Sequence, residues 1–194
     1  MPWRCNPRPS KRKQRELSEL EQEFLDKEVK RMLEMGAIAP SDRNDLVLSS
    51  IYTVPKKGST KRRPVINLRW VNSHLHQVHF KMSTMKDVKQ ALTPGCYMAK
   101  IDLTDCFWGL PVAEQDQRTL AFAWKGQKYV FKCLPFGQAL SPMFITKLYR
   151  KVIERLQADG HRVIIYIDML ILGDSKERCE ESLRATLRLM TDLT

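Results

Sequence analysis

Ten residues, Val163-Ile164-Ile165-Tyr166-Ile167-Asp168-Met169-Leu170-Ile171-Leu172, are apolar apart from one aspartate. A run this long and this rich in β-branched residues reads as buried strand, so the fold must bring a carboxylate to the rim of a sheet. Lys100-Ile101-Asp102-Leu103 ends an earlier apolar run in the same way. For either aspartate alone a turn cap is the commoner role. An acid among such neighbours is costly to desolvate without a cation or hydrogen bonds, and two acids meeting at one rim make a metal site. That reading requires the side-chain oxygens of Asp102 and Asp168 to converge on a shared ion.

Charge narrows the class of partner. The chain carries 33 Lys and Arg against 22 Asp and Glu, a formal charge of +11 over 194 residues. Such a surplus suits a polyphosphate, although ribosomal, membrane-surface and merely soluble proteins share it. No apolar stretch approaches the roughly 20 residues of a membrane-spanning helix, so no membrane partner is expected. The five cysteines are odd in number, scattered and without Cys-x-x-Cys spacing, which fits reduced thiols better than a disulfide framework or a zinc site. The N-terminus is basic and proline-rich without an apolar segment, unlike a secretory signal, so a cytoplasmic or nuclear location is expected.

Residues 1–13 hold Pro2, Pro7 and Pro9 among five bases, a composition expected to form a flexible basic arm. The arm would lie on nucleic acid, act as an import signal, or remain a solvated tail. Apolar residues at helical spacing predict an amphipathic helix over 14–35 that Gly36 ends, followed by a loop over 36–44. Strands are predicted over 50–56 and 63–68, with a basic tip between them, and a short helix over 84–91 precedes a strand over 97–103. Two strands near 119–124 and 128–132, a helix over 141–156, the hairpin around Asp168 and a charged helix from Lys176 complete the chain. Helices and antiparallel strands without strict alternation indicate an α+β fold.

Three motifs, Ile101-Asp102-Leu103-Thr104-Asp105, Leu134-Pro135-Phe136-Gly137 with Ala139, Ser141 and Pro142 after it, and Tyr166-Ile167-Asp168-Met169, resemble in order and spacing the palm of a reverse transcriptase. The resemblance covers roughly residues 36–175. Asn67-Leu68-Arg69, Phe80-Lys81-Met82 and Val112 to Asp116 are most similar to the DIRS-like and gypsy-like retrotransposon branch. It implies a polymerase palm, an antiparallel sheet packed on helices, with a fingers subdomain, and with thumb and RNase H absent. On this reading residues 14–96 are the N-terminal helix and fingers, and 97–194 the palm.

By the same resemblance Asp102 and Asp168 are catalytic ligands of Mg²⁺, or of Mn²⁺ in its place, with the Leu103 carbonyl as a further donor. Lys56 and Arg63 grip the incoming deoxynucleoside triphosphate, the lysine as a point charge and the arginine as a planar fork, although a solvated basic turn is the alternative. Asp105 lies beside the triphosphate, Phe107 sits against the sugar and excludes a 2′-hydroxyl, and Phe136 lines the nucleotide pocket; buried packing would equally explain Phe107. Tyr166, Ile167, Gly137 and Gln138 contact primer or template.

The family's hairpin reads Tyr-x-Asp-Asp, whereas this chain has Met169 at the second aspartate. Either Met169 replaces an acid, or one residue has been deleted from a longer hairpin. A thioether is a poor donor to a hard ion, so activity is expected to be impaired. The leading reading is an RNA-directed DNA polymerase fragment extending a DNA primer on an RNA or DNA template. The alternative is a catalytically silent palm that binds primer-template or RNA. The sequence leaves the oligomeric state open.

Overall fold

A computed structural model describes residues 1–56, 58, 62–102, 106–166 and 168–192. In chain order the first elements are β1 (Ser10–Lys11), α1 (Glu19–Glu34), β2 (Ile38–Pro40), β3 (Val47–Ser49), β4 (Ile51–Pro55), β5 (Arg62–Ile66) and α2 (Arg69–Asn72). Next come α3 (Met85–Ala91), β6 (Tyr97–Ile101), a 3-10 turn (Cys106–Gly109), α4 (Glu114–Gln117), β7 (Ala121–Trp124) and β8 (Gln127–Phe131). The last are α5 (Ser141–Ala158), β9 (Arg162–Tyr166), β10 (Asp168–Gly173) and α6 (Lys176–Thr191). They form two compact units, 1–78 with 107–141 and 79–106 with 142–194. The sequence reading divides the chain into 1–13, 14–96 and 97–194.

In the first unit the described residues build a sheet in the order β1-β3-β7-β8-β2 and a separate β4-β5 ribbon. Helix α1 begins where Ser18 caps it: the Ser18 hydroxyl accepts from the Glu21 amide, and the Glu21 carboxylate accepts from the Ser18 amide. Residues 14–17, expected as helix, stay outside because the Gln14 side chain is bonded to both backbone groups of Ile51. Leu25, Val29 and Met32 recur at helical spacing and are buried. Ile38–Pro40, expected as loop, pairs with β8, and its proline falls at the end of an edge strand where no donor is missed.

The arm over residues 1–13 also differs from expectation. Ser10 and Lys11 pair with Val47 and Leu48. The Trp3 indole donates to Asp116 at 2.8 Å, and the Arg12 guanidinium lies 4.3 Å from the centre of the Trp70 ring. The segment builds no core of its own, but it satisfies its backbone on an existing sheet edge.

The second unit holds an antiparallel sheet in the order β6-β10-β9, with α6 against β10 and β6 and α3 against β9. Gly173 allows the close approach of α6: a Cβ there would stand 2.4 Å from the Cys179 amide nitrogen. Val163, Met169, Ile171, Leu172 and Cys179 are buried in this unit.

Candidate active site

The register of β10 against β6 fixes the arrangement. Met169 pairs with Ile101 and Leu170 with Lys100, and the same register carried one residue past the end of β6 sets Asp168 opposite Asp102. Side chains alternate across a strand, so Lys100, Asp102 and Asp168 share one face while Ile101 and Met169 take the other. Directly opposed residues have Cβ atoms about 4.5–5.5 Å apart, close enough for two carboxylates to share one cation. The Lys100 ammonium lies 2.5 Å from Asp168 Oδ2. Its pKa is held above the ordinary lysine value, first by the hydrogen bond to Asp168, then by that carboxylate's charge and by Asp102. The Asp168 side chain is sheltered at 16% exposure, whereas Lys100 is 60% exposed.

Position 169 does not belong to this face. Met169 is fully buried and shares the parity of Ile171 and Gly173, the side on which Gly173 meets α6. The sequence reading treated it as a vacated ligand position. The ladder instead turns its side chain away from Asp102 and Asp168 and into the core.

In the first unit, Lys56 and Arg63 are both exposed at the end of the β4-β5 ribbon. Alternation separates Arg63 from its neighbour: Arg62 turns inward, donating to Thr53 Oγ1 at 2.7 Å and to Glu21 at 2.9 Å. Arg62 and Glu21 thus tie the ribbon to α1. The rings of Phe107 and Phe136 meet edge to face, 4.9 Å between centroids at 85°, with Phe136 45% exposed. Gly137 has φ of 93°, and a Cβ there would touch the Ile66 carbonyl at 3.5 Å. Gln138, expected to contact primer or template, is instead buried. Its Oε1 accepts from the Leu140 amide at 2.8 Å and the Ser141 hydroxyl at 3.2 Å, so it braces the turn from within.

Asn72 escaped the sequence reading. Its amide donates to the Gly137 carbonyl at 2.9 Å and accepts from the Ala139 amide at 3.0 Å, clamping the turn from outside. An Asn at the end of a four-residue helix gives no signal of a contact 65 positions away. Lys100 was also missed, although it lies two residues before Asp102 and strand alternation alone puts both on one face. Leu103, Asp105, Ile167 and the Tyr166 side chain lie outside the described residues.

The profile of the reverse transcriptase (RNA-dependent DNA polymerase) family matches residues 54–194, a stretch that includes both acid-bearing strands. The chain belongs to this family. It is 30% identical over 177 residues to the Pol polyprotein of feline endogenous virus ECE1, a match covering 85% of this chain and 16% of the polyprotein. With the Pro-Pol polyprotein of simian foamy virus type 3 (strain LK3) identity is 25% over 178 residues, 91% of this chain and 15% of that one. The reverse transcriptase chain thus spans about a sixth of these relatives. Its fold matches the foamy viral protease-reverse transcriptase dRH solved in complex with double-stranded DNA, with TM-score 0.84 and 21% identity over 97% of this chain and 32% of that one. The prototype foamy virus protease-reverse transcriptase CSH mutant gives TM-score 0.81 at 21% identity, covering 97% of this chain and 24% of that one. The mixed α+β fold is that of polymerase fingers and palm.

Reverse transcriptases work with divalent metals, and the palm residues fit one. The register of β10 against β6 leads Asp168 toward Asp102, both acids supply hard oxygen donors, and Asp168 already holds the Lys100 ammonium. Among the described residues, no third His, Cys, Asp or Glu joins them.

Proposed function

We propose that this chain is the fingers and palm of a retroelement RNA-directed DNA polymerase, acting in the cytoplasm or nucleus. It extends a DNA primer on an RNA or DNA template with deoxynucleoside triphosphates. The observation that carries the reading is the register of β10 against β6, which continued by one residue sets Asp168 opposite Asp102, inside a reverse transcriptase domain. Mg²⁺, or Mn²⁺ in its place, supplies activation of the primer hydroxyl and charge neutralisation on the triphosphate when bound. Asp102 and Asp168 hold it, with the Leu103 carbonyl completing the donors. Lys56 and Arg63 grip the triphosphate, with Asp105 beside it. Phe107 excludes the 2′-hydroxyl, and its edge-to-face contact with Phe136 fixes the ring's orientation. Tyr166, Ile167 and Gly137 meet primer or template. The DIRS-like or gypsy-like branch rests on Asn67-Leu68-Arg69, Phe80-Lys81-Met82 and Val112 to Asp116.

Synthesis is slow in this reading, because two carboxylates, Asp102 and the hairpin's Asp168, do the work that the family's pattern divides among three. The burial of Met169 also favours a second reading, a silent palm that keeps primer-template binding alone. Primer extension separates the two. The wild-type chain should incorporate slowly in Mg²⁺ and faster in Mn²⁺, with D102N and D168N each at least about a hundredfold lower while duplex binding persists. Incorporation that survives D168N refutes the assignment of the acids. Binding without turnover in either metal selects the silent palm.

A further inference from the structure

We propose that Lys100 is a resident counter-ion of the Asp102–Asp168 pair, one that must withdraw before a divalent cation is held and so sets the cation concentration at which the site fills. The proposal rests on the reading of these two acids as cation ligands.

The geometry is local and specific. Lys100 and Asp102 lie two residues apart on one strand and project from the same face, and Asp168 comes to that face from the neighbouring strand. Lys100 reaches diagonally across the ladder to place its ammonium 2.5 Å from Asp168 Oδ2. Two opposed carboxylates repel each other, and the one on β10 is sheltered from water, so a cation beside it relieves a strain that solvent cannot fully screen. The Lys100 side chain is itself 60% exposed, so its stem is free to swing away from the acids into solvent. An exposed ion pair is weak, so Lys100 restrains the pair without blocking it. After withdrawal the tethered positive charge stays near the rim, where it opposes a dication. Without this lysine the two acids would present their full charge to the ion.

The test measures cation binding rather than turnover. The 194-residue wild-type chain, K100M, K100R and D168N are titrated with Mn²⁺, without nucleotide or nucleic acid, and free Mn²⁺ is read by electron paramagnetic resonance. K100M should bind about fivefold more tightly than wild type, as removal of one like charge at contact range predicts. K100R keeps the charge and grips a carboxylate with a planar fork, so it should bind no tighter than wild type. D168N should bind more weakly. In thermal melts K100M should gain more from Mn²⁺ than wild type does. Equal or weaker Mn²⁺ binding by K100M, alongside a weakened D168N, overturns the counter-ion role and leaves the ligand assignment standing. Wild type and D168N that bind indistinguishably overturn the ligand assignment, and the counter-ion role with it. Lys100 is largely exposed, so truncation spares the fold; K100Q serves as the second neutral variant and must follow K100M.

Discussion

An aspartate introduced at position 169 would not join Asp102 and Asp168. Parity sends that side chain to the face that meets α6, and Met169 there is fully buried. The new carboxylate would be desolvated where a thioether now packs, a change that costs about 3 kcal/mol when a buried charge is left uncompensated. M169D should therefore lower the melting temperature by several degrees and fail to restore synthesis. Thermal denaturation and primer extension on the same preparation check both halves. An aspartate inserted between Asp168 and Met169 should behave differently, because it leaves the ladder from Met169 to Gly173 against β6 intact and fills the position opposite Asp102. A substituted protein that is as stable as wild type and faster would show that the hairpin changes register. The sequence reading could not resolve this point. One chain displays the residue type at 169, but the side it faces depends on which residue of β6 lies opposite.

Elements were legible where the signal was local, as with the apolar spacing that marks α1 and the short helix α3 after Thr84, although the cap at Ser18 that starts α1 went unread. Strand β2 and the course of residues 1–13 were not legible. Each is decided by a backbone partner far along the chain, β8 for the one and β3 for the other. The anchoring of the β4-β5 ribbon to α1 is the same kind of fact. Glu21 caps the helix and also receives Arg15 at 2.5 Å and Arg62 at 2.9 Å. Its pKa is lowered, chiefly by the Ser18 amide and further by Thr53, Arg15 and the Ser18 hydroxyl, against an opposing effect of burial. A carboxylate depressed in the folded state adds stability that is complete above its unfolded value, 4.5, and is lost as pH falls through the folded value. E21Q should therefore be less stable than wild type by a constant amount at neutral pH, and the gap should narrow below about pH 4.5. Urea denaturation across pH 3–7 measures it. A gap that stays constant down to pH 3 means that Glu21 acts through packing and not through charge.

At the scale of the whole molecule the surplus charge is not spread evenly. Residues 1–13 and 56–63 each carry five bases and no acid, which accounts for ten of the eleven surplus charges. Elsewhere bases are largely matched by acids, and along α5 and α6 the matching is explicit. Lys151 pairs with Glu154 and Arg155 with Asp159; Lys176 and Arg184 flank Glu180, and Arg178 meets Glu181. Both basic segments belong to the first unit, so phosphate neutralisation there should be separable from chemistry at the acids of the second. Binding of a primer-template duplex should weaken with salt along a slope of about −5 in log K against log concentration, roughly a thousandfold between 50 and 200 mM, as neutralised phosphates release their counterions. The double variant K56A/R63A should flatten that slope by about 2, whereas D168N should leave it unchanged. Fluorescence anisotropy over a salt series reads all three. A slope near zero in the wild type would remove the basic segments from the interface. A slope altered by D168N would mean that the acids bear on duplex binding directly, and the division of labour between ribbon and sheet edge would fall.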